Sequence, residues 1–230
     1  MKLDGLRYAP EGSAIVDGLD LAFTPGAITA LVGPSGCGKS SLLRLIAGLR
    51  PLGGGSISGV PARKSFVFQD AALLPWLTLR ANVAIPGTFG PIGDVDAALA
   101  KVGLTEHAAK LPSALSGGQR MRASLARALV AQPQLVLLDE AFAALDSMTR
   151  RSVQRAFLGL QASENWTVVL VTHELEDAVL LADRVIAVEG PPLRVILDLP
   201  VPLARPRDFH DPRAGELALQ LEQALAGSAT

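Results

Sequence analysis

Two short stretches of this chain carry residue types suited to phosphate chemistry. In Gly33-Pro-Ser-Gly-Cys-Gly-Lys-Ser40, glycines and small residues lead into a lysine and a hydroxyl. Backbone N–H groups in such a loop can converge on phosphate oxygens, because no bulky side chain blocks the approach. Lys39 is then placed to contact the β and γ phosphates of ATP, and the Ser40 hydroxyl to ligate Mg²⁺. The candidate nucleotide contacts are Gly33, Pro34, Ser35, Gly36, Cys37, Gly38, Lys39, Ser40 and Ser41. Asp139 and Glu140 directly follow the apolar run Leu135-Val-Leu-Leu138. Adjacent carboxylates at the end of a buried strand can divide the work. Asp139 suits holding Mg²⁺, directly or through water, and Glu140 suits a general base or water-orienting group for attack on the γ-phosphate. Cys37, close to Lys39 and a helix N-terminus, is expected to react with maleimide and to be shielded by Mg-ATP.

These groups need a strand, a loop and a helix in that order. Ile28-Thr-Ala-Leu-Val32 reads as a buried strand, and after the loop Leu42, Leu45, Ile46 and Leu49 recur at helical spacing. Gly53-Gly-Gly55 is expected to end this helical unit. Before it, short apolar runs alternate with turn formers such as Thr24-Pro-Gly26, which predicts antiparallel strands. Lys64-Ser-Phe-Val-Phe68 reads as a further strand. From about 70 to 131 the chain loses strand character, and the stretch predicts an inserted α-helical subdomain broken by Pro75, Pro86, Pro91 and Pro112. The runs 135–138 and 168–171 are short and do not alternate, as expected of parallel strands covered on both faces. The segment from Pro200 to Pro212 is expected to run over the surface. Asp211 then reads as an N-cap, and Leu217, Leu221 and Leu225 form the stripe of a closing helix, so that about 200–230 make a C-terminal extension. The expected fold is α/β: a P-loop NTPase core with a mostly parallel sheet, an N-terminal antiparallel β subdomain and the helical insert, all one domain over 1–230.

A 230-residue chain that is 49% hydrophobic can bury a sizeable core. Its formal net charge of −1 gives no global basic field, so nucleic acid is not an expected partner and any membrane link runs through another protein. The uncharged stretch from Leu21 to Gly38 contains Pro25, Pro34 and glycines, and reads as strand and loop rather than a membrane span. Met1-Lys2-Leu3-Asp4-Gly5 opens no apolar leader, which predicts a cytoplasmic location. The one cysteine, Cys37, rules out an intrachain disulfide.

Leu115-Ser-Gly-Gly-Gln119, in the same chain as the glycine-rich loop and ahead of a helix bearing Leu125, Ala128 and Leu129, resembles the signature of the ABC ATPase family. The resemblance covers nearly the whole chain, with the family's motifs in order. It implies a head-to-tail homodimer in which Ser116 and Gly118, within Leu115, Ser116, Gly117, Gly118 and Gln119, contact the γ-phosphate held by the opposite subunit. Gln69 matches the family's Q-loop residue, expected near Mg²⁺ and the attacking water. His173 matches its switch histidine, Asp146 its D-loop aspartate at the dimer interface, and Tyr8 the aromatic that stacks on adenine. His107 and His210 match nothing. Ser41, Ala141, Ala143 and Met121 depart from common choices without removing a phosphate, Mg²⁺ or base group.

Asp70-Ala-Ala-Leu-Leu-Pro-Trp-Leu-Thr-Leu79, Arg80-Ala-Asn-Val83 and the tail Leu199-Pro-Val-Pro-Leu-Ala-Arg-Pro-Arg207 are similar to the nitrate, sulfonate and taurine branch of bacterial importers. That similarity implies transmembrane permease subunits, a groove near Trp76 for one of their helices, a periplasmic or extracellular solute-binding protein, and a peripheral place on the cytoplasmic face of the cell membrane. The alternatives are an ABC subunit for another cargo, a thiamine-precursor pyrimidine among them, and a soluble ABC ATPase acting on nucleic acid or ribosomes. Such repair members insert a long coiled coil and translation members fuse two domains, and this chain does neither.

Overall fold

The computed structural model describes residues 1–208 and 210–227; Phe209 and 228–230, part of the expected C-terminal extension, lie outside the described residues. The chain forms two compact units, one of Met1–Pro61 with the described residues from Thr167 onward, the other Ala62–Trp166.

In the first unit, β1 (Lys2–Tyr8) pairs antiparallel with β2 (Val16–Ala22) on one side and β4 (Gly54–Ser58) on the other. Leu3 and Leu6 of β1 and Val16, Leu19 and Leu21 of β2 are buried, giving this sheet its apolar face. Gly54 and Gly55 belong to β4, contrary to the expectation that the glycine run ends a unit. A Cβ on Gly55 would lie 2.3 Å from the Gly5 carbonyl oxygen, so the glycine permits close strand approach here rather than breaking the structure.

The same unit holds β3 (Ile28–Val32), parallel to both β7 (Thr167–Thr172) and β8 (Arg184–Glu189), with β9 (Arg194–Pro200) antiparallel on β8. All residues of β3 and β7 are buried, which explains why neither alternates. After β3 come the glycine loop and α1 (Lys39–Ala47), whose Leu42, Leu45 and Ile46 face inward. The helix stops at left-handed Gly48, so Leu49 is exposed and lies off the expected stripe. The strands β8 and β9 are additions to the sequence reading: β8 buries the apolar run Val185-Ile-Ala-Val188, while β9 is exposed or half-buried at every position.

The proline-rich tail does more than cross the surface. The Arg207 side chain is 2% exposed. It donates to the carbonyls of Leu203 (2.9 Å), Val179 (2.6 Å), Ala182 (2.5 Å) and Val201 (3.3 Å). Arg205 adds a bond to Leu181 O (2.6 Å) and an ion pair with Asp183 (2.7 Å). Buried carbonyls at the end of α6 (Leu175–Leu181) thereby gain donors that a continuing chain does not supply. Beyond it, α7 (Pro212–Gly227) packs on α6, with Leu221 buried and Leu217 and Leu225 partly so.

In the second unit β5 (Lys64–Val67) runs parallel to β6 (Leu135–Asp139). Between them the chain is helical: α2 (Leu79–Ala84), α3 (Val95–Lys101) and α4 (Gly117–Val130), with short 3₁₀ turns. Leu125, Ala128 and Leu129 are buried on α4 as their spacing predicts. Next, α5 (Ser147–Glu164) follows β6. Among the described residues no helix is long and apolar enough to cross a membrane.

Candidate functional site

The glycine loop sits where β3 ends and α1 begins, so its backbone is held at both ends. Gly33 lies against β8: a Cβ there would be 2.2 Å from the Val188 carbonyl oxygen, and any side chain would push the loop off its strand. Pro34, Ser35 and Gly36 are exposed, Gly38 is the left-handed N-cap of α1, and Ser40 and Ser41 are partly buried in its first turn. The Lys39 ammonium is buried and donates to Gly33 O and Pro34 O, each at 2.7 Å. It therefore lies inside the loop's own curve, the place a phosphate oxygen would take, and meeting a phosphate means exchanging carbonyl acceptors for stronger, charged ones.

Cys37 is buried, with its Sγ 3.7 Å from Lys39 Nζ. The expectation of a maleimide-reactive thiol is corrected here. The spacing placed Cys37 beside a cation and a helix start, but the side chain turns inward, where a reagent does not reach it.

His173 follows β7 by one residue and is exposed. It lines a cleft of ≈ 470 Å³ with Gly33, Pro34, Leu175, Glu189, Gly190 and Leu225, so the histidine and the start of the glycine loop share one space. Glu174 Oε1 stands 3.7 Å from its Nε2. Tyr8 closes β1, half-buried, its backbone carbonyl accepting from Ile15 N–H at 2.9 Å.

The second unit carries the other candidates. Asp139 ends β6 and is buried; Glu140 follows, half-buried, at φ 50°, a left-handed conformation that a glutamate rarely adopts. Asp146 is exposed and is the N-cap of α5, accepting from Thr149 N–H at 3.0 Å. Hydrogen bonding from Thr149 holds its carboxyl below the usual carboxylate range.

Ser116 is the N-cap of α4, in a complete capping box: its hydroxyl accepts from Gln119 N–H (3.2 Å) while Gln119 Oε1 accepts from Ser116 N–H (2.9 Å). Leu115 and Gly118 are buried, whereas Ser116 and Gly117 are exposed. A helix N-terminus with exposed serine and glycine is an anion-favouring end. Gln69, exposed just past β5, lines a cleft of ≈ 360 Å³ with Gly117, Arg120 and Met121, so the structure brings it beside the start of the signature helix.

The loop after Gln69 is clamped. Arg127 donates to the carbonyls of Ala71 (2.7 Å) and Ala72 (2.8 Å). Wholly buried Asn82 accepts from Leu74 N–H (2.7 Å) and donates to Leu74 O, Leu77 O and Thr78 O at 3.0–3.1 Å. Ala71 and Leu79 are buried, so part of the apolar segment is the subdomain's own core, yet Trp76 is 71% exposed. Sequence reading missed both clamps, and it set His107 aside although His107 touches Gln119. Nothing in local spacing announces such contacts.

The donors fit Mg-ATP in kind. The Gly33 backbone leaves room only for main chain, Lys39 supplies a buried cation at the loop, and Ser40 and Asp139 offer the hard oxygens Mg²⁺ takes.

A strand, glycine loop and helix with a buried lysine, together with a serine-capped LSGGQ helix, define an ATP-binding cassette that hydrolyses ATP. The family model described as ABC transporter matches residues 16–143, and the chain belongs to that family. It is 44% identical over 227 residues to the aliphatic sulfonates import ATP-binding protein SsuB 1 of Streptomyces avermitilis, across 98% of this chain and 86% of that protein. With SsuB 2 of Agrobacterium fabrum, also an aliphatic sulfonates import ATP-binding protein, it shares 46% identity, across 88% and 80% of the two chains. A dimeric bacterial ABC transporter cassette matches with a TM-score of 0.74 at 27% identity, covering 88% of this chain and 99% of that one. The same cassette, solved as a dimeric post-hydrolysis state bound to ADP and Pi, matches with a TM-score of 0.73.

Proposed function

We propose that this chain powers import of aliphatic sulfonates as the ATP-hydrolysing subunit of a membrane complex. The observation that carries this is the near full-length similarity to aliphatic sulfonates import proteins from two organisms. The chain pairs with a second copy, docks on permease subunits at the cytoplasmic face of the membrane, and receives solute from a periplasmic or extracellular binding protein. Its helical subdomain, about 70–131, meets the permease, and about 200–230 form a C-terminal extension.

In this reading the backbone of 33–38 and Lys39 cradle the phosphates, and Tyr8 stacks on adenine. Mg²⁺, when bound, screens the phosphate charge, with Ser40, Asp139 and Gln69 as its candidate holders. Glu140 takes the proton of the attacking water, and His173 steadies the γ-phosphate. Ser116 and Gly118 complete the site of the opposite copy, with Asp146 at the same interface. ATP bound between two copies favours their closed arrangement, and permease subunits gripping each copy follow that change. Trp76 supports the docking part: a large aromatic held out of its own core on a clamped loop loses little entropy when covered.

Uptake of labelled aliphatic sulfonates by cells lacking this chain is the test. Loss of uptake, restored by the wild-type chain and not by Lys39→Ala, is expected. Unchanged sulfonate uptake with lost uptake of nitrate or a pyrimidine would move the cargo elsewhere in the branch. A Trp76→Ala chain that keeps ATP binding and loses uptake places the docking loop as proposed.

A further inference from the structure

Gln119 reaches in two directions. Its Oε1 accepts from Ser116 N–H at 2.9 Å, and its Nε2 lies 2.6 Å from His107 Nε2, at the end of a 3₁₀ turn (Thr105–His107). The backbone N–H of Ser116 can only donate, so the amide orientation is fixed: oxygen toward Ser116, NH₂ toward the histidine. An NH₂ group facing a ring nitrogen requires that nitrogen to accept. The geometry points to His107 Nε2 as the acceptor, which puts the ring proton on Nδ1. Among the described residues that Nδ1 is buried with no hydrogen-bond partner.

We propose that His107 is a positioning residue for the signature: by accepting from Gln119 Nε2 it locks the amide that holds Ser116 N–H, and so sets the serine and the first turn of α4 in the pose that meets a phosphate. The chain of bonds runs Ser116 N–H to Gln119 Oε1, then Gln119 N–H to His107 Nε2. Without the acceptor the amide is free to rotate, Ser116 N–H loses its partner for part of the time, and the capping box opens. This rests on the reading that Ser116 and Gly118 act on ATP.

The tautomer is tested first, on the complete chain labelled with ¹⁵N on its three histidines, His107, His173 and His210. Long-range ¹⁵N–¹H spectra, with the His107 signal assigned by its loss in His107→Gln, are expected to show the proton on Nδ1. Gln119→Glu still accepts from Ser116 but cannot donate, so in that variant the proton is expected on Nε2. A wild-type ring with its proton on Nε2, or with both nitrogens protonated, overturns the proposal. Turnover is tested second. His107→Gln carries an acceptor near the Nε2 position and is expected to keep ATP hydrolysis within twofold, whereas His107→Asn is too short and is expected to lower kcat about tenfold with nucleotide affinity unchanged. Equal activities of the two variants overturn the proposal, even if both are less stable. If the tautomer is as expected but Ser116→Ala hydrolyses ATP normally, the contact stands and it is the signature's role in hydrolysis that fails.

Discussion

Gly118 faces Thr149 so closely that a Cβ on it would lie 2.2 Å from Thr149 Cγ2. The first turn of α4 is thus pressed against the first turn of α5, and the second signature glycine has a packing reason independent of any phosphate. Gly118→Ala is expected to cost about 2 kcal/mol by overpacking, roughly 6 °C in Tm for a chain of this size. Thr149→Ser removes the offending methyl, and the next atoms, Thr149 Cβ and Val153 Cγ2, stand at 3.7 Å. The double variant should therefore regain most of the lost Tm. If it stays as unstable as the single one, the packing account is wrong. ATP hydrolysis in the rescued double variant reads the other role: full activity leaves the glycine purely structural, and lost activity supports close approach of a phosphate.

Glu140 sits at φ 50° directly after buried Asp139. A non-glycine residue there costs on the order of 1 kcal/mol or more, which a fold retains when the side chain has work to do. Glu140→Gln keeps the shape and removes the base, and is expected to bind ATP normally while hydrolysing it at least about 100-fold more slowly. Glu140→Gly should lose turnover as well, yet gain about 1 kcal/mol in denaturant unfolding as the strain is relieved. A Gln variant with wild-type turnover removes Glu140 from the chemistry; a Gly variant no more stable than wild type removes the strain argument.

Much of this fold was legible because its signals are local. The strand Ile28–Val32, the glycine loop and the helix from Lys39 follow one another within a few residues, and apolar runs without alternation marked β6 and β7 as covered on both faces. What escaped depends on contacts far apart in sequence. β9 carries the apolar residues Val195, Ile196, Leu197 and Leu199 but buries none of them fully, and its place is set by antiparallel pairing with β8. Cys37 looked reactive from its neighbours, but burial is a tertiary property that the loop sequence does not contain. His107 and Gln119 meet only once the helical insert is folded, and the arginines of the tail look like surface charges until the carbonyls they bind are known.

Those arginines give a stability test. Arg207 satisfies carbonyls of Val179, Ala182, Val201 and Leu203 from a side chain only 2% exposed. Removing it leaves several buried acceptors without donors, so Arg207→Ala is expected to cost about 3 kcal/mol in urea unfolding. Arg207→Lys should recover only part of this, since a single ammonium cannot span the positions a planar guanidinium reaches. An Ala variant that unfolds at the wild-type urea concentration would show that the tail does not anchor α6.

Asp146 can serve its own helix without any partner. Its carboxylate caps α5 through Thr149, and those hydrogen bonds hold its pKa below the ordinary carboxylate value. A carboxyl with a lowered folded pKa stabilises the fold above its unfolded pKa, and that contribution is lost as pH falls through the lower, folded value. Asp146→Asn keeps a capping oxygen that does not titrate. The Tm difference between wild type and Asp146→Asn should therefore favour wild type near neutral pH and shrink only below the ordinary aspartate range. A difference that is flat throughout acid titration would mean the cap does not depend on the charge. If Asp146→Asn stays fully folded at the assay temperature and still loses ATP hydrolysis, the aspartate is needed beyond its helix, as expected of a residue at the interface between two copies of the chain.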